Sequence, residues 1–380
     1  MTDASVDVQI VPVSSRREMA RFIRLPARLH ADDPHFVPQL VIERREAYSP
    51  KKNPYFQHAD VQFWLAHRNG RDVGRISAQV DHLQKDPQLG HFGLIEGEDD
   101  PRIFNALFST AEAWLKQHGR TRIQGPFNLS INEETGLLIK GFDTPPMLLM
   151  GHDHAYAGTR VEEQGYKKAK DLIAYLYDIQ HPLPQAVQKM IARRKPTDLQ
   201  VRTLDMRHYR EEVFTMMHLY NDAWSENWGF MPFTDAEIGH MASSMRPLLD
   251  PKLCSILEMR GQMVGFGLTL PNLNEAIADF GGRVLPFNWA KLVWRIKVKH
   301  LRTGRTLLMG VSRRFATTGV VGAMAPFLLV DKMRQRAAEI GMEHSELSWI
   351  LEDNMPMRRI NEAVGSDPYK VYRIYEKMLA

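Results

Sequence analysis

The feature that most limits the fold of this 380-residue chain is a repeat. The stretch NPYFQHADVQFWLAHRNGRDVGRISAQ (53–79) reads as two strands around a turn, closing on Gly70-x-x-Val73-Gly74. LCSILEMRGQMVGFGLTLP (253–271) restates it with Gly261, Val264 and Gly265. Upstream of each hairpin, VQIVPVSSRREMARFIRLPARLH (8–30) and LQVRTLDMRHYREEVFTMMHLYND (199–222) read as a strand entering an amphipathic helix, by apolar spacing of three and four. Downstream, PRIFNALFSTAEAWLKQHGRTRIQGP (101–126) parallels APFLLVDKMRQRAAEIGMEHSELSWI (325–350), with a Pro in the first helical turn, a long helix, a Gly stop and a strand. His154 and Asn354 each stand eleven residues before a glycine, Gly165 or Gly365. A duplicated α/β fold of the mixed-sheet, α+β kind follows, with domains expected at 1–195 and 196–380 and a boundary in the polar stretch RRKPTDLQ (193–200).

With 44% hydrophobic residues, a chain of this length fills two ordinary cores. Its single cysteine, Cys254, lies in an apolar stretch, reads as core, and excludes an intramolecular disulfide or a multi-cysteine metal site. No uninterrupted apolar run reaches about 18 residues, and the first residues lack a basic start followed by an apolar run. A cytoplasmic protein is the expectation, with a peripheral place on the inner face of the cytoplasmic membrane as the variant. Residues 280–330 hold nine Lys or Arg and no Asp or Glu, so an anionic partner is expected there. Within them PFNWAKLVWRIKVKHLRTGR (286–305) sets Trp289, Leu292, Val293 and Ile296 on one helical side. Lys291, Arg295, Lys297, Lys299, Arg302 and Arg305 ring the rest, as in an element lying on an anionic membrane or in an ordinary packed helix. Nucleic acid is not expected, because no reading helix or aromatic stacking motif accompanies the charge.

The order of elements resembles the GCN5-related N-acetyltransferase (GNAT) fold, here in tandem. That fold binds an acyl-CoA where its fourth and fifth strands splay, and offers the pyrophosphate a loop opening the long helix. The resemblance implies that the second copy holds the donor: TLLMGVSRR, with Met309, Val311, Arg313 and Arg314, as fourth strand; FATTGVVGA, with Gly319, Val320, Val321, Gly322 and Ala323, as loop; and HSELSWILEDN, ending at Asn354, as fifth strand. Amides at a helix start, with glycines permitting close approach, bind a phosphate. The family's usual loop has glycines two apart, with Gln or Arg three before the first; here they are three apart and that place holds Ala316. The first copy carries GLIEGEDDPRIF at the same point, whose acidic residues repel a pyrophosphate.

Family members often protonate the leaving thiolate with a Tyr seven residues after the Asn of the final helix, where this chain has Asn361. Tyr372 and Tyr375 are the substitutes nearest the end of the chain. For the base, GPFNLSINEETGLLIKGFDTPPMLLMGHDHAYAG (125–158) gathers Asn132, Glu133, Glu134, Asp153 and others in an irregular segment, and NEETG is expected to face the thioester. His152 and His154 are two residues apart with no third ligand nearby, so no metal is expected. The hairpin and this long motif together resemble a bacterial group of double-GNAT proteins, part of it similar to bacterial ceramide synthases. This implies an acyl-CoA-dependent N-acyltransferase with an amine acceptor, lipidic by the ceramide-synthase comparison. A soluble acetyltransferase and a non-catalytic scaffold are the alternatives.

Overall fold

The computed structural model describes residues 7–194, 198–316 and 319–379, with the backbone alone for Arg194, Val320 and Val321. Two compact units emerge. Unit 1 holds the chain up to Leu172, Ile277–Asn288 and Lys370 onward; unit 2 holds Ile173–Ala276 and Trp289–Tyr369. These are not the halves 1–195 and 196–380 of the sequence. The strand that ends each half crosses into the other unit, because a strand is placed by the ladder it pairs with and not by the copy that encodes it.

Unit 1 comprises, in order, β1 (Gln9–Pro12), α1 (Arg16–Leu29), α2 (Val41–Ala47), β2 (Ala59–Arg68), β3 (Arg71–Asp81), β4 (Leu89–Gly97), α3 (Pro101–Gln117), β5 (Arg122–Gly125), β6 (Leu137–Lys140), α4 (Ala157–Glu162) and the first part of β7 (Lys167–Asp178). Strands β1 to β4 pair antiparallel in sequence order, and β4 pairs with β5 in parallel, Leu89↔Arg122 to His91↔Gln124. The β2–β3 turn is Asn69-Gly70, both at positive φ (52° and 77°), as a two-residue type I′ turn demands. Ser15 and Glu18 form a capping box on α1, and Asp100 caps α3 with Pro101 in its first turn. Ile103, Phe104, Leu107, Phe108 and Ala111 of α3 pack on Val73, Ile76 and Phe92, each side chain contributing roughly 1.5–3 kcal/mol if large and fully buried. The segment expected to be irregular, 125–158, contains the short strand β6.

Unit 2 comprises α5 (Gln185–Arg194), β8 (Leu199–Thr203), α6 (Tyr209–Trp224), α7 (Asp235–Met245), β9 (Cys254–Met259), β10 (Gln262–Pro271), α8 (Leu273–Ile277), α9 (Asn288–Trp294), β11 (Thr303–Val311), α10 (Arg313–Ala316), α11 (Gly319–Glu339), β12 (His344–Leu351), α12 (Met355–Ala363) and the start of β13 (Asp367–Met378). The β9–β10 turn, Arg260-Gly261 (φ 51° and 76°), is the same type I′ turn as in unit 1, which is the physical content of the repeated glycine. The sheet runs β8-β9-β10-β11-β12, antiparallel except for the parallel β11–β12 pair. Cys254 is buried as expected, and burial pushes its thiol up to about 12.

The long helix differs from its sequence reading. Pro326 was expected in its first turn, yet α11 begins at Gly319 and carries Pro326 inside. Burial of Met324 and Ala325 against Leu257 and Val264 extends the helix past a residue that removes one hydrogen bond.

Candidate functional site

In unit 2 the β11–β12 pairing runs from Thr303↔His344 to Thr306↔Leu347, and both strands continue past it to Val311 and Leu351. At the same level the β10–β11 register shifts between Leu268 and Thr269, which face Leu308 and Thr306, so Leu307 is the extra residue of a bulge. A bulge turns backbone groups out of the ladder, where an amide can meet a carbonyl oxygen. Splay and bulge therefore coincide at one point in unit 2.

The expected donor residues lie around this point. Met309 and Val311 are part-buried among the apolar residues beneath α11. Arg313 and Arg314 are exposed on α10, with Arg313 Nη1 donating to Ser225 Oγ at 3.1 Å and Glu226 Oε1 at 3.2 Å. Gly319 opens α11 at φ +47°, and among the described residues nothing comes within 4 Å of where a Cβ would stand. Gly322 has a different reason: a Cβ would lie 2.5 Å from Phe315 O and 2.4 Å from Ala316 O, so this glycine packs the helix on the preceding turn. Ala323 is exposed; Val320 and Val321 contribute backbone in the first turn. Asn354 caps α12, accepting from the Met357 amide at 3.2 Å.

Beside the splay, away from α11, a buried polar group escaped sequence reading. Glu346 is fully buried; Tyr369 Oη donates to its Oε2 and Ser348 Oγ to its Oε1. Arg305 Nε donates to Ser348 Oγ at 2.8 Å and stands 3.7 Å from Glu346 Oε1. Arg305, expected on a basic outer face, is thus a buried partner of Glu346, its register neighbour. A tyrosine bonded to a buried carboxylate can pass a proton. The available signal was a charged residue inside each of two neighbouring strands, Arg305 in β11 and Glu346 in β12.

Unit 1 keeps the same bulge but fills it. The β3–β4 register shifts between Arg75 and Ser77, and Leu94 sits there at φ +50°, its amide donating to Asn128 Oδ1 at 2.8 Å. Segment 126–129 lies so close to β4 that a Cβ on Gly93 would be 1.9 Å from Phe127 O. The acidic residues at the start of α3 are engaged: Asp100 with Arg68 (2.6 Å), Asp99 with Arg160 (2.7 Å) and Glu98 with Arg71 (2.7 Å).

The expected base candidates in unit 1 lie in different settings. Glu133 is exposed on a turn; Glu134 is part-buried, accepting from Arg44 Nη1 and from Asn128 Nδ2, both at 3.1 Å. The Asn132 amide donates to Ser130 Oγ at 3.1 Å. Tyr372 is fully buried in unit 1, in register with Leu138 of β6, and Tyr375 Oη donates to Glu162 at 3.2 Å.

No protein-family model matches the chain. It is 51% identical over 379 residues to the "Bacterial ceramide synthase" of Caulobacter vibrioides, covering 99% of this chain and 98% of that one. It is 40% identical over 371 residues to "Protein YghO" of Escherichia coli, covering 96% and 94%. In fold it matches a tandem GNAT protein from the clavulanic acid biosynthesis pathway (TM-score 0.57, 12% identity, 98% and 99% covered). It also matches a GCN5-related N-acetyltransferase from Sphaerobacter thermophilus (TM-score 0.54, 15% identity, 97% and 96% covered).

Proposed function

We propose, from the premise that the chain belongs to the bacterial ceramide synthase family, that it is an acyl-CoA-dependent N-acyltransferase joining a fatty acyl group to a lipid amine. The observation that carries this reading is the 51% identity extending over 99% of the chain, hence over both units. The splay, bulge and α11 start in unit 2 support the placement of the donor. The amine nitrogen attacks the thioester carbonyl carbon, the C–S bond breaks, the amide forms, and the sulfur takes up the proton that the nitrogen gives up. Tyr369, bonded to Glu346, is our assignment for the group that returns that proton.

A lipid acceptor has its support in the segment around α9. Of the ten large hydrophobic side chains exposed on the described residues, six lie here: Leu285 (72%), Phe287 (81%), Trp289 (54%), Val293 (53%), Trp294 (52%) and Val298 (64%). No residue of α9 is buried, so its apolar face is not spent on packing. Lys297 and Lys299 stand exposed beside it. Exposed tryptophans with lysines suit an interface bearing anionic lipid. Among the described residues no helix is long and apolar enough to cross a membrane.

The test is acylation by the purified protein of a long-chain amine in vesicles, followed by mass spectrometry with palmitoyl-CoA and with acetyl-CoA. N-palmitoyl product is expected. Acetylation of soluble amines alone would overturn the lipid reading.

A further inference from the structure

The buried polar group beside the splay of unit 2 has a direction, and one small residue sets it. Arg305 and Glu346 are register neighbours near the end of the β11–β12 pairing, and Ser348 is the first residue of β12 beyond its last pair, Thr306↔Leu347. All three are buried. A buried ion pair often stabilises a fold no better than apolar residues of the same volume, so this one, placed where the strands part, points to a use other than stability.

A guanidinium only donates. Arg305 Nε donates to Ser348 Oγ at 2.8 Å and Nη2 to Ser348 O at 3.4 Å, so the serine oxygen is an acceptor toward Arg305. Its one proton is left for Glu346 Oε1. Oε1 is thereby engaged, with the Arg305 charge 3.7 Å away, and the Tyr369 hydroxyl donates to Oε2. Protons therefore point at the carboxylate from both sides. With its single proton committed to Glu346, the Tyr369 oxygen can meet a substrate only as an acceptor. The Tyr369 side chain is part-exposed, whereas Glu346 is sealed. Lys370, the next residue of β13, donates instead to Thr144 O at 2.7 Å and Pro145 O at 3.3 Å in unit 1.

The bulge decides which face this chain of bonds occupies. Residues directly opposite in a ladder share a face, and Leu270↔Arg305, Leu268↔Leu308 and Phe266↔Gly310 set Arg305 with Leu308 and Gly310. The other face carries Gly267↔Met309 and belongs to α11, since a Cβ on Gly267 would stand 2.3 Å from Met333 Sδ. The extra residue Leu307 thus turns Arg305 away from α11.

We propose that Tyr369 takes the amine proton as well as returning it, with Glu346 storing a proton in between and Ser348 as the positioning residue that aims the carboxylate. As the amine nitrogen bonds the thioester carbon, an N–H proton passes to Tyr369 Oη while the tyrosine's own proton passes to Glu346 Oε2. When the C–S bond breaks, both transfers reverse, the sulfur leaves as a thiol, and tyrosine and carboxylate are as they began. The inference rests on the N-acyltransferase reading and adds the base to it.

The test measures acylation of a long-chain amine in vesicles by the full chain and by Ser348→Ala, Ser348→Thr and Glu346→Gln, with palmitoyl-CoA affinity taken separately by equilibrium dialysis. Ser348→Ala should lower kcat about tenfold or more, as expected for losing one hydrogen bond to a charged group, while donor affinity and the amine KM stay as in wild type. Ser348→Thr keeps the hydroxyl and should restore most of the rate. Glu346→Gln keeps the shape but cannot store a proton, and should lower kcat by about 10²–10⁴-fold. Should that variant fail to fold, the two serine variants still decide. Wild-type kcat in Ser348→Ala, equal losses in the Ala and Thr variants, or a loss of donor affinity matching the loss of rate would overturn the relay. A wild type that acylates no amine sinks the N-acyltransferase reading and the relay with it, whereas an active wild type indifferent to Ser348 overturns the relay alone.

Discussion

The backbone amide of Leu94 donates to Asn128 Oδ1 at 2.8 Å, so in unit 1 the bulge that a thioester would use is occupied by the protein's own side chain. The counterpart bulge in unit 2 lies at Leu307, beside strands that have separated. Asymmetry between the copies thus resides in backbone occupancy as well as in charge.

Donor binding should therefore respond to Gly319 and not to the acidic turn of unit 1. Gly319→Asp brings a carboxylate to the start of α11 and should weaken palmitoyl-CoA binding at least about tenfold at low salt. Gly319→Asn, which tolerates positive φ, should bind nearly as wild type, separating charge from strain. Asp99→Asn should leave affinity unchanged. Equilibrium dialysis measures all three, and equal losses in Gly319→Asp and Asp99→Asn would refute the assignment.

Removing the hydroxyl in Tyr369→Phe should lower kcat by about 10²–10⁴-fold with little change in acyl-CoA affinity, as expected for lost acid catalysis. Glu346→Ala leaves Arg305 buried without its counter-charge and should destabilise by about 3–5 kcal/mol in urea unfolding. An unchanged kcat in Tyr369→Phe places the proton donor elsewhere.

For the segment around α9, replacing Lys291, Lys297 and Lys299 by Gln should release the protein from anionic vesicles. Each lysine near the surface contributes about 1 kcal/mol, and salt should mimic the loss. Trp289→Ser with Trp294→Ser should release it even at low salt, because these rings are half-exposed and free to enter the interface. Acylation of a vesicle-borne amine should fall in both variants. Vesicle flotation that leaves either variant bound contradicts the membrane role.

Asp153 sets a pH dependence of definite sign. Burial raises it to about 7, above the unfolded value near 3.9, so the folded state binds more protons between these values. Its cost to stability is full above pH 7 and is relieved as pH falls. Asp153→Asn removes that penalty, so its stability advantage over wild type should shrink by roughly 2–3 kcal/mol between pH 7 and pH 5. His30 acts oppositely, its lowered affinity making acid unfavourable, which is why the comparison must be between variant and wild type. Parallel melting curves across this range would rule the assignment out.

The duplication, the turn glycines Gly70 and Gly261 and the α3 cap were legible in the sequence because each depends on residues close together in the chain. A two-residue turn needs positive φ, and a helix start needs a cap, whatever the rest of the fold does. Tertiary structure alone decided the rest. Pairing over 250 to 256 residues, from Tyr375↔Gly125 to Met378↔Arg122, holds the end of β13 with Tyr372 and Tyr375 in unit 1, and no local signal encodes such a partner. The gathering of Arg305, Glu346, Ser348 and Tyr369, and of His30 with Asp33, Glu96 and His154, has the same origin. Each gathering draws side chains from separate elements of the chain, and only burial, which strips them of water and forces them to find one another, makes them chemistry.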